Sequence, residues 1–220
     1  MERRTGMPIA AALLLGVVSL GLAQGQEYAL KDYMPQTVGS KWVMKTDEQQ
    51  GEATTTIEVS KPAEGQQGLA FLTKGENGAV IRGSMEAVTD AGYTLFGTIR
   101  VPRGQPGGQP TPSPYNPPVV FPAKLQVGQP AEAKTKMSMR GQDVDATMKL
   151  ELAAVESVTV PKGTFPDCLK LVVTTTTARG ELKRTAWYAK GVGLVKTEQP
   201  GFGPNATARV AELVDYTLAQ

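Results

Sequence analysis

Between Ala131 and Leu152 the chain alternates apolar and polar residues with a period of two. Ala131, Ala133, Thr135, Met137 and Met139 fall on one side, and Glu132, Lys134, Lys136, Ser138 and Arg140 on the other. After Gly141-Gln142-Asp143 the pattern resumes, with Val144, Ala146, Met148, Leu150 and Leu152 opposite Asp145, Thr147, Lys149 and Glu151. A helix repeats every 3.6 residues and cannot sort this sequence into two faces, whereas a strand does so automatically. The stretch therefore reads as a long antiparallel hairpin with one buried and one wet face.

The same period recurs at lower contrast along the chain. Ala53, Thr55, Ile57 and Val59 oppose Thr54, Thr56, Glu58 and Ser60; Ile81, Met85 and Ala87 oppose Arg82, Ser84 and Glu86. Turn residues separate these runs: Lys61 to Gly65, Asn77-Gly78, Asp90-Ala91-Gly92 and Val127 to Pro130. Asn-Gly supplies the positive φ angles that tight hairpins need. Lys41 to Lys45 and Leu69 to Thr73 add short strands, and Val210, Val214, Tyr216 and Leu218 mark a last one. Helical periodicity is almost absent. The expected fold is all-β: an antiparallel meander of about ten strands curled into a half-barrel or open barrel, with little helix.

From Val158 to Lys196 the punctuation is densest. Pro161-Lys162-Gly163, Pro166-Asp167, Ala178-Arg179-Gly180 and Gly191-Val192-Gly193 divide short β-rich runs. In this stretch Val158, Val160, Pro161, Gly163, Thr164, Phe165, Cys168 and Lys170 form a V-x-V-P-x-G-T-F-x-x-C-x-K motif. Trp187, Tyr188, Ala189 and Gly191 to Lys196 form W-Y-A-x-G-V-G-L-V-K. With Tyr33-Met34-Pro35, Gly39 and Trp42 near the start, these motifs resemble a family of uncharacterised exported bacterial proteins. The resemblance implies a lipoprotein-carrier-like (LolA/LolB-like) half-barrel, a sheet curled around an apolar interior. It implies no catalytic residues.

Composition excludes several chemistries. The 220 residues contain no histidine and one cysteine. Histidine-dependent nucleophile systems, histidine metal sites and histidine pH switches are therefore out of reach. No intramolecular disulfide can form. Cys168 is either a small apolar strand residue or the site of an intermolecular disulfide or reactive thiol. The formal net charge of +2 gives no electrostatic case for nucleic acid. Asp145, Glu151 and Glu156 are neighbouring carboxylates, and two of them lie on the polar side of a strand, which is the ordinary place for solvated charge. No phosphate loop, zinc signature or calcium loop is present, and no cofactor is expected.

Residues 1–25 carry the marks of a secretory leader: Arg3 and Arg4, an apolar run from Pro8 to Leu22, and small residues for cleavage near Ala23 or Gly25. No cysteine stands there to carry a lipid anchor. The expected mature chain is one β domain, 26–220, in the periplasm or secreted. Residues 102–118 (PRGQPGGQPTPSPYNPP) are expected to form a mobile proline-rich loop, unsuited to a helix or a central strand. Asn205-Ala206-Thr207 matches a glycosylation acceptor, a chance match behind a bacterial-looking leader.

The apolar strand faces are the remaining lead. Trp42, Met85, Met137, Met139, Met148, Leu150 and Trp187 are the candidate ligand-contacting residues, because methionine adapts to irregular apolar surfaces. The functional expectation is a non-enzymatic envelope protein that binds a lipid or other hydrophobic ligand inside the curled sheet. The alternative is a structural or protein-interaction module of the envelope, acting through strand edges or the proline-rich loop. No nucleic-acid partner is expected, and the sequence leaves the oligomeric state open.

Overall fold

Strong alternation and frequent turns produce the meander that the sequence predicts. The computed structural model describes residues 25–48, 51–102, 108–139, 141–201 and 207–220, without the side chains of 47, 48, 51 and 52. The proposed leader lies almost entirely outside the described residues, as do Asn205 and Ala206. Fourteen strands and one short 3₁₀ turn make up the described elements. They are β1 (Glu27–Ala29), the turn Leu30–Asp32, β2 (Lys41–Glu48), β3 (Gly51–Ser60), β4 (Leu69–Lys74), β5 (Val80–Thr89) and β6 (Gly92–Arg100). Then come β7 (Thr111–Phe121), β8 (Lys124–Gln126), β9 (Ala131–Met139), β10 (Gln142–Val160), β11 (Gly163–Thr177), β12 (Gly180–Ala189), β13 (Gly193–Gln199) and β14 (Arg209–Thr217).

Twelve of these strands close into an antiparallel barrel in the order β10-β11-β12-β13-β14-β2-β3-β4-β5-β6-β7-β9, and β1 pairs separately with β8. The sheet therefore goes beyond the half-barrel implied by the resemblance. Closure removes the free edges that an open curl would expose. It is uneven, however. β9 and β10 share nine residue pairs, from Gln142↔Met139 to Leu150↔Ala131, whereas β7 and β9 meet at the single pair Asn116↔Lys136.

That weak seam explains a departure from expectation. Residues 111–118, read from the sequence as part of a mobile loop, form the first two-thirds of β7. They pair with β6 from Gly97↔Pro114 to Arg100↔Thr111. Proline supplies no N–H, so Pro112, Pro114, Pro117 and Pro118 suit a strand with a neighbour on one side and almost no ladder on the other. Residues 103–107 of the expected loop lie outside the described residues.

Register sorts each strand into an inner and an outer face. Tyr93, Leu95, Tyr115, Val119 and Phe121 from β6 and β7 meet Met148, Leu150, Leu152, Leu169 and Leu171 from β10 and β11 in one cluster. Trp42, Met44, Val59, Val195 and Leu213 belong to a second. The outer face carries ion pairs such as Lys74–Glu58 at 2.9 Å, Lys196–Glu212 at 2.8 Å and Lys149–Glu151 at 3.9 Å. A bilayer-facing barrel would carry an apolar band there instead. No described helix is long and apolar enough to cross a membrane.

The two ends of the barrel differ. At one end the chain before β2 folds across the opening. Leu30, Tyr33 and Met34 are buried in the first cluster. The Leu30 N–H donates to the Ala123 carbonyl at 2.9 Å, and the Gly191 N–H to the Asp32 carbonyl at 2.8 Å. Gln36 Oε1 accepts from the Val88 N–H at 2.8 Å. At the other end lie the β4–β5, β6–β7, β9–β10, β11–β12 and β13–β14 connections.

Candidate functional site

The inner face changes character along the barrel axis. Near the plug it is apolar and close-packed. Towards the far end it becomes polar, and its side chains meet water.

On β5 the inward set is Arg82, Ser84, Glu86 and Val88. The register shows this directly, because Glu86 pairs with Leu95 and Val88 with Tyr93, both residues of the first apolar cluster. Sequence alternation gave the opposite assignment, with Ile81, Met85 and Ala87 as the buried side. Ile81 is in fact 47% exposed, and Met85 faces outward. There it packs with Ala70, Ile99, Leu72 and Phe96 in a small outer cluster. That cluster forms because Gly97 lies under it. A Cβ at Gly97 would sit 2.4 Å from the Ser113 carbonyl oxygen, 2.7 Å from Pro114 Cα and 2.9 Å from the Met85 methyl. Glycine lets these apolar groups settle on the backbone from outside, and alternation alone does not register that.

Glu86 is the one carboxylate buried in the described interior. The Tyr93 hydroxyl donates to its Oε2 at 2.5 Å. Desolvation pushes the Glu86 carboxyl above its ordinary range, while Tyr93, Ser84 and Arg184 act in the opposite direction. Tyr93 is raised well above an ordinary phenol, chiefly by its own burial and next by the charge of Glu86. Tyr188, on β12, is raised for the same two reasons. Because the folded-state pKa of Glu86 lies above its unfolded value, folding favours the protonated acid. Its contribution is fully present below the unfolded pKa and is lost as pH rises towards the folded one. Glu86→Gln is expected to raise the urea midpoint at pH 8 while changing it little at pH 4. Chemical denaturation at the two pH values reads this directly.

Above Glu86 stand four arginines on the inner face. Arg82 pairs directly with Arg100 across β5 and β6. Arg184 pairs with Val173 of β11, and Arg209 with Gln199 of β13. All four are exposed although they point inward. Among the described residues, this end of the barrel is thus open to water.

The candidate apolar residues do not form one surface. Met148 and Leu150 are buried in the first cluster, with Met137 packed against it. Met139 is half-buried near the open end, on the same inner face. Trp42 is inward, 3% exposed, and its indole N–H donates to the Val192 carbonyl at 2.7 Å. Trp187 faces outward, opposite to Tyr188. Its N–H donates to Glu156 Oε1 at 2.6 Å, and the Lys170 and Lys196 ammonium groups stand 5.1 Å and 5.8 Å from its ring. Met85 is outward, as described. The structure thus keeps Met137, Met139, Met148 and Leu150 on one inner wall and places Trp42, Met85 and Trp187 elsewhere.

On the outer face Asp145 stands opposite Lys136 in the β9–β10 register, Glu151 forms an ion pair with Lys149, and Glu156 contacts Lys170 and the Trp187 N–H. Cys168 is fully buried, its thiol 3.3 Å from the Phe165 carbonyl oxygen, and desolvation pushes its pKa up to about 11. A thiol in that state is a poor nucleophile. Among the described residues no cluster of histidine, cysteine or acidic groups has the arrangement of a metal site. A cleft of about 500 Å³ opens beside the β7–β9 seam, lined by Arg100, Ser113, Pro114, Asn116, Lys136 and Asp143 among others.

The inward arginines escaped sequence reasoning because alternation labels arginine as an outer-face residue. A usable signal existed, since the face that holds Arg82 and Glu86 continues into Val88. A family model described as DUF3108-like matches residues 117–201. No curated protein matches the chain. Among solved structures, a protein named as a lipoprotein from Parabacteroides distasonis is 18% identical, with 84% of this chain and 97% of that one covered and a TM-score of 0.42. An exported protein with a YmcC-like fold from Bacteroides fragilis is 13% identical, covering 84% and 99%, with a TM-score of 0.45. YmcC of Escherichia coli, named as a lipoprotein, is 12% identical, covering 82% and 86%, with a TM-score of 0.38.

Proposed function

We propose that this chain is a non-enzymatic, exported protein of the cell envelope that holds a hydrophobic or amphiphilic ligand in the open end of its barrel. One observation carries the reading: among the described residues, the end opposite the plug is open to water yet keeps apolar side chains on its inner face. Met137, Met139 and Val144 are half-buried there, and Leu182 is 40% exposed. Deeper down, Leu150 and Leu152 are fully buried, so a ligand's apolar part rests on the β9–β10 wall without threading the core. The leader read from residues 1–25 supports export. Native mass spectrometry after mild purification tests the reading. The expected result is a co-purified small molecule that leaves on denaturation. Identical ligand-free masses before and after denaturation would overturn it.

A second reading is favoured by the seam. β7 and β9 share one pair, so part of each strand presents unpaired backbone groups beside the cleft. An extended segment of another envelope protein adds to such an edge by main-chain hydrogen bonds.

A further inference from the structure

Charge is segregated by type in this barrel. Among the described barrel strands, every arginine lies on the inner face: Arg82, Arg100, Arg184 and Arg209. Every lysine of those strands, including Lys74, Lys134, Lys170 and Lys196, lies on the outer face. A surface that needed only solubility would not sort the two. Lysine is a strongly hydrated point charge, whereas the planar guanidinium fork matches oxyanions in bidentate fashion.

Register turns all four side chains to the inner face at the same end of the barrel, and Arg100 also borders the cleft at the β7–β9 seam. Five strands separate β5 from β12 by either route around the barrel, so Arg82 and Arg184 face each other across it. Desolvation, and next the charges of Arg184 and Arg209, lower the Arg82 pKa, and Arg184 and Arg100 both act on Tyr115. None of the four has a hydrogen bond or ion pair within the described residues. Glu86, the one buried carboxylate among the described residues of this region, is engaged by Tyr93. Beside Arg100 on the same face, the Thr98 hydroxyl is buried with no partner. Like charges gathered in a semi-enclosed space repel each other, and an anion between them relieves that repulsion.

We propose that the open end of the barrel is a binding site for a phosphate-type oxyanion, held by Arg82, Arg100, Arg184 and Arg209. The site rests on the reading of this end as a ligand compartment and gives the ligand its polar half. Such an anion is either free in solution or the headgroup of an acidic lipid whose acyl part lies on Met137 and Val144.

Inorganic tripolyphosphate and phosphatidylglycerol vesicles are the probes, with phosphatidylcholine vesicles as the control. Calorimetry of the full mature chain is expected to show tripolyphosphate binding that weakens as salt rises. The Arg82→Gln/Arg184→Gln variant is expected to bind at least tenfold more weakly. Lys134→Gln, which removes an outer-face charge, should leave binding unchanged. The double variant should melt no lower than wild type at low salt, because it relieves repulsion without breaking a bond. Flotation with phosphatidylglycerol vesicles alone assigns the anion to a lipid, and tripolyphosphate binding alone assigns it to a free species. Absence of both interactions, or equal binding by the double variant, overturns the site. A neutral lipid that co-purifies with a protein indifferent to both probes would overturn the anion site and leave the broader binding role standing.

Discussion

Replacing Trp42 with alanine is expected to lower the unfolding free energy by about 3–5 kcal/mol. The indole is 3% exposed on the inner face of β2, and its ring joins two parts of the chain that are far apart in sequence. Its N–H donates to the Val192 carbonyl at 2.7 Å. Its six-membered edge lies where a Cβ of Gly193 would stand, 2.8 Å away, and Gly193 has a φ of +101° that other residues rarely adopt. The turn after β12 is therefore moulded to this ring. Alanine leaves a cavity, orphans the carbonyl and frees the turn together. Urea denaturation followed by far-ultraviolet circular dichroism measures the loss, with Trp42→Phe expected to fall between wild type and alanine. A loss below about 1 kcal/mol would show that the ring is dispensable to packing.

Leu150→Ala is expected to cost about 2–5 kcal/mol. Leu150 is fully buried on the inner face of β10, at a level where β6, β7, β10 and β11 converge on one cluster. It pairs with Ala131 on one side and Val173 on the other, so small neighbours leave it to fill the space between them. The surrounding strands are tied by continuous ladders and collapse little into the void. The measurement is the same urea titration, compared with Met139→Ala. Met139 is half-buried at the open end, so its truncation should cost less than Leu150→Ala while altering whatever rests against that wall. If Leu150→Ala left stability unchanged and abolished ligand retention, the apolar ligand surface would extend into the present core.

The alternation from Ala131 to Leu152 was enough to place β9, the first part of β10 and their inner residues, because both faces there carry side chains of unmistakable type. The turn residues located most connections for the same reason. β5 was harder. Its outward Met85 is buried locally over Gly97, and its inward Arg82 is hydrated by an open lumen, so polarity no longer reports direction. β7 was harder still. Its prolines argue against a strand unless the missing neighbour is known, and the near-absence of pairing with β9 follows from how the whole ring closes. Trp187 illustrates the general limit at the candidate site. A tryptophan in a strand is expected inside, yet this one lies outside under the stems of Lys170 and Lys196, with Glu156 taking its N–H. The arginine-lined end depends on strands that are opposite in space and distant in sequence, so only the closed ring reveals it.

The barrel is fastened along eleven ladders and stitched at the twelfth by Asn116 and Lys136, with the Thr135 hydroxyl adding a bond to the Pro117 carbonyl at 2.7 Å. A cylinder sewn so unequally has a preferred line along which to part. Under mechanical or thermal load this line is expected to part before the fully paired ladders do, because releasing it breaks the fewest backbone hydrogen bonds.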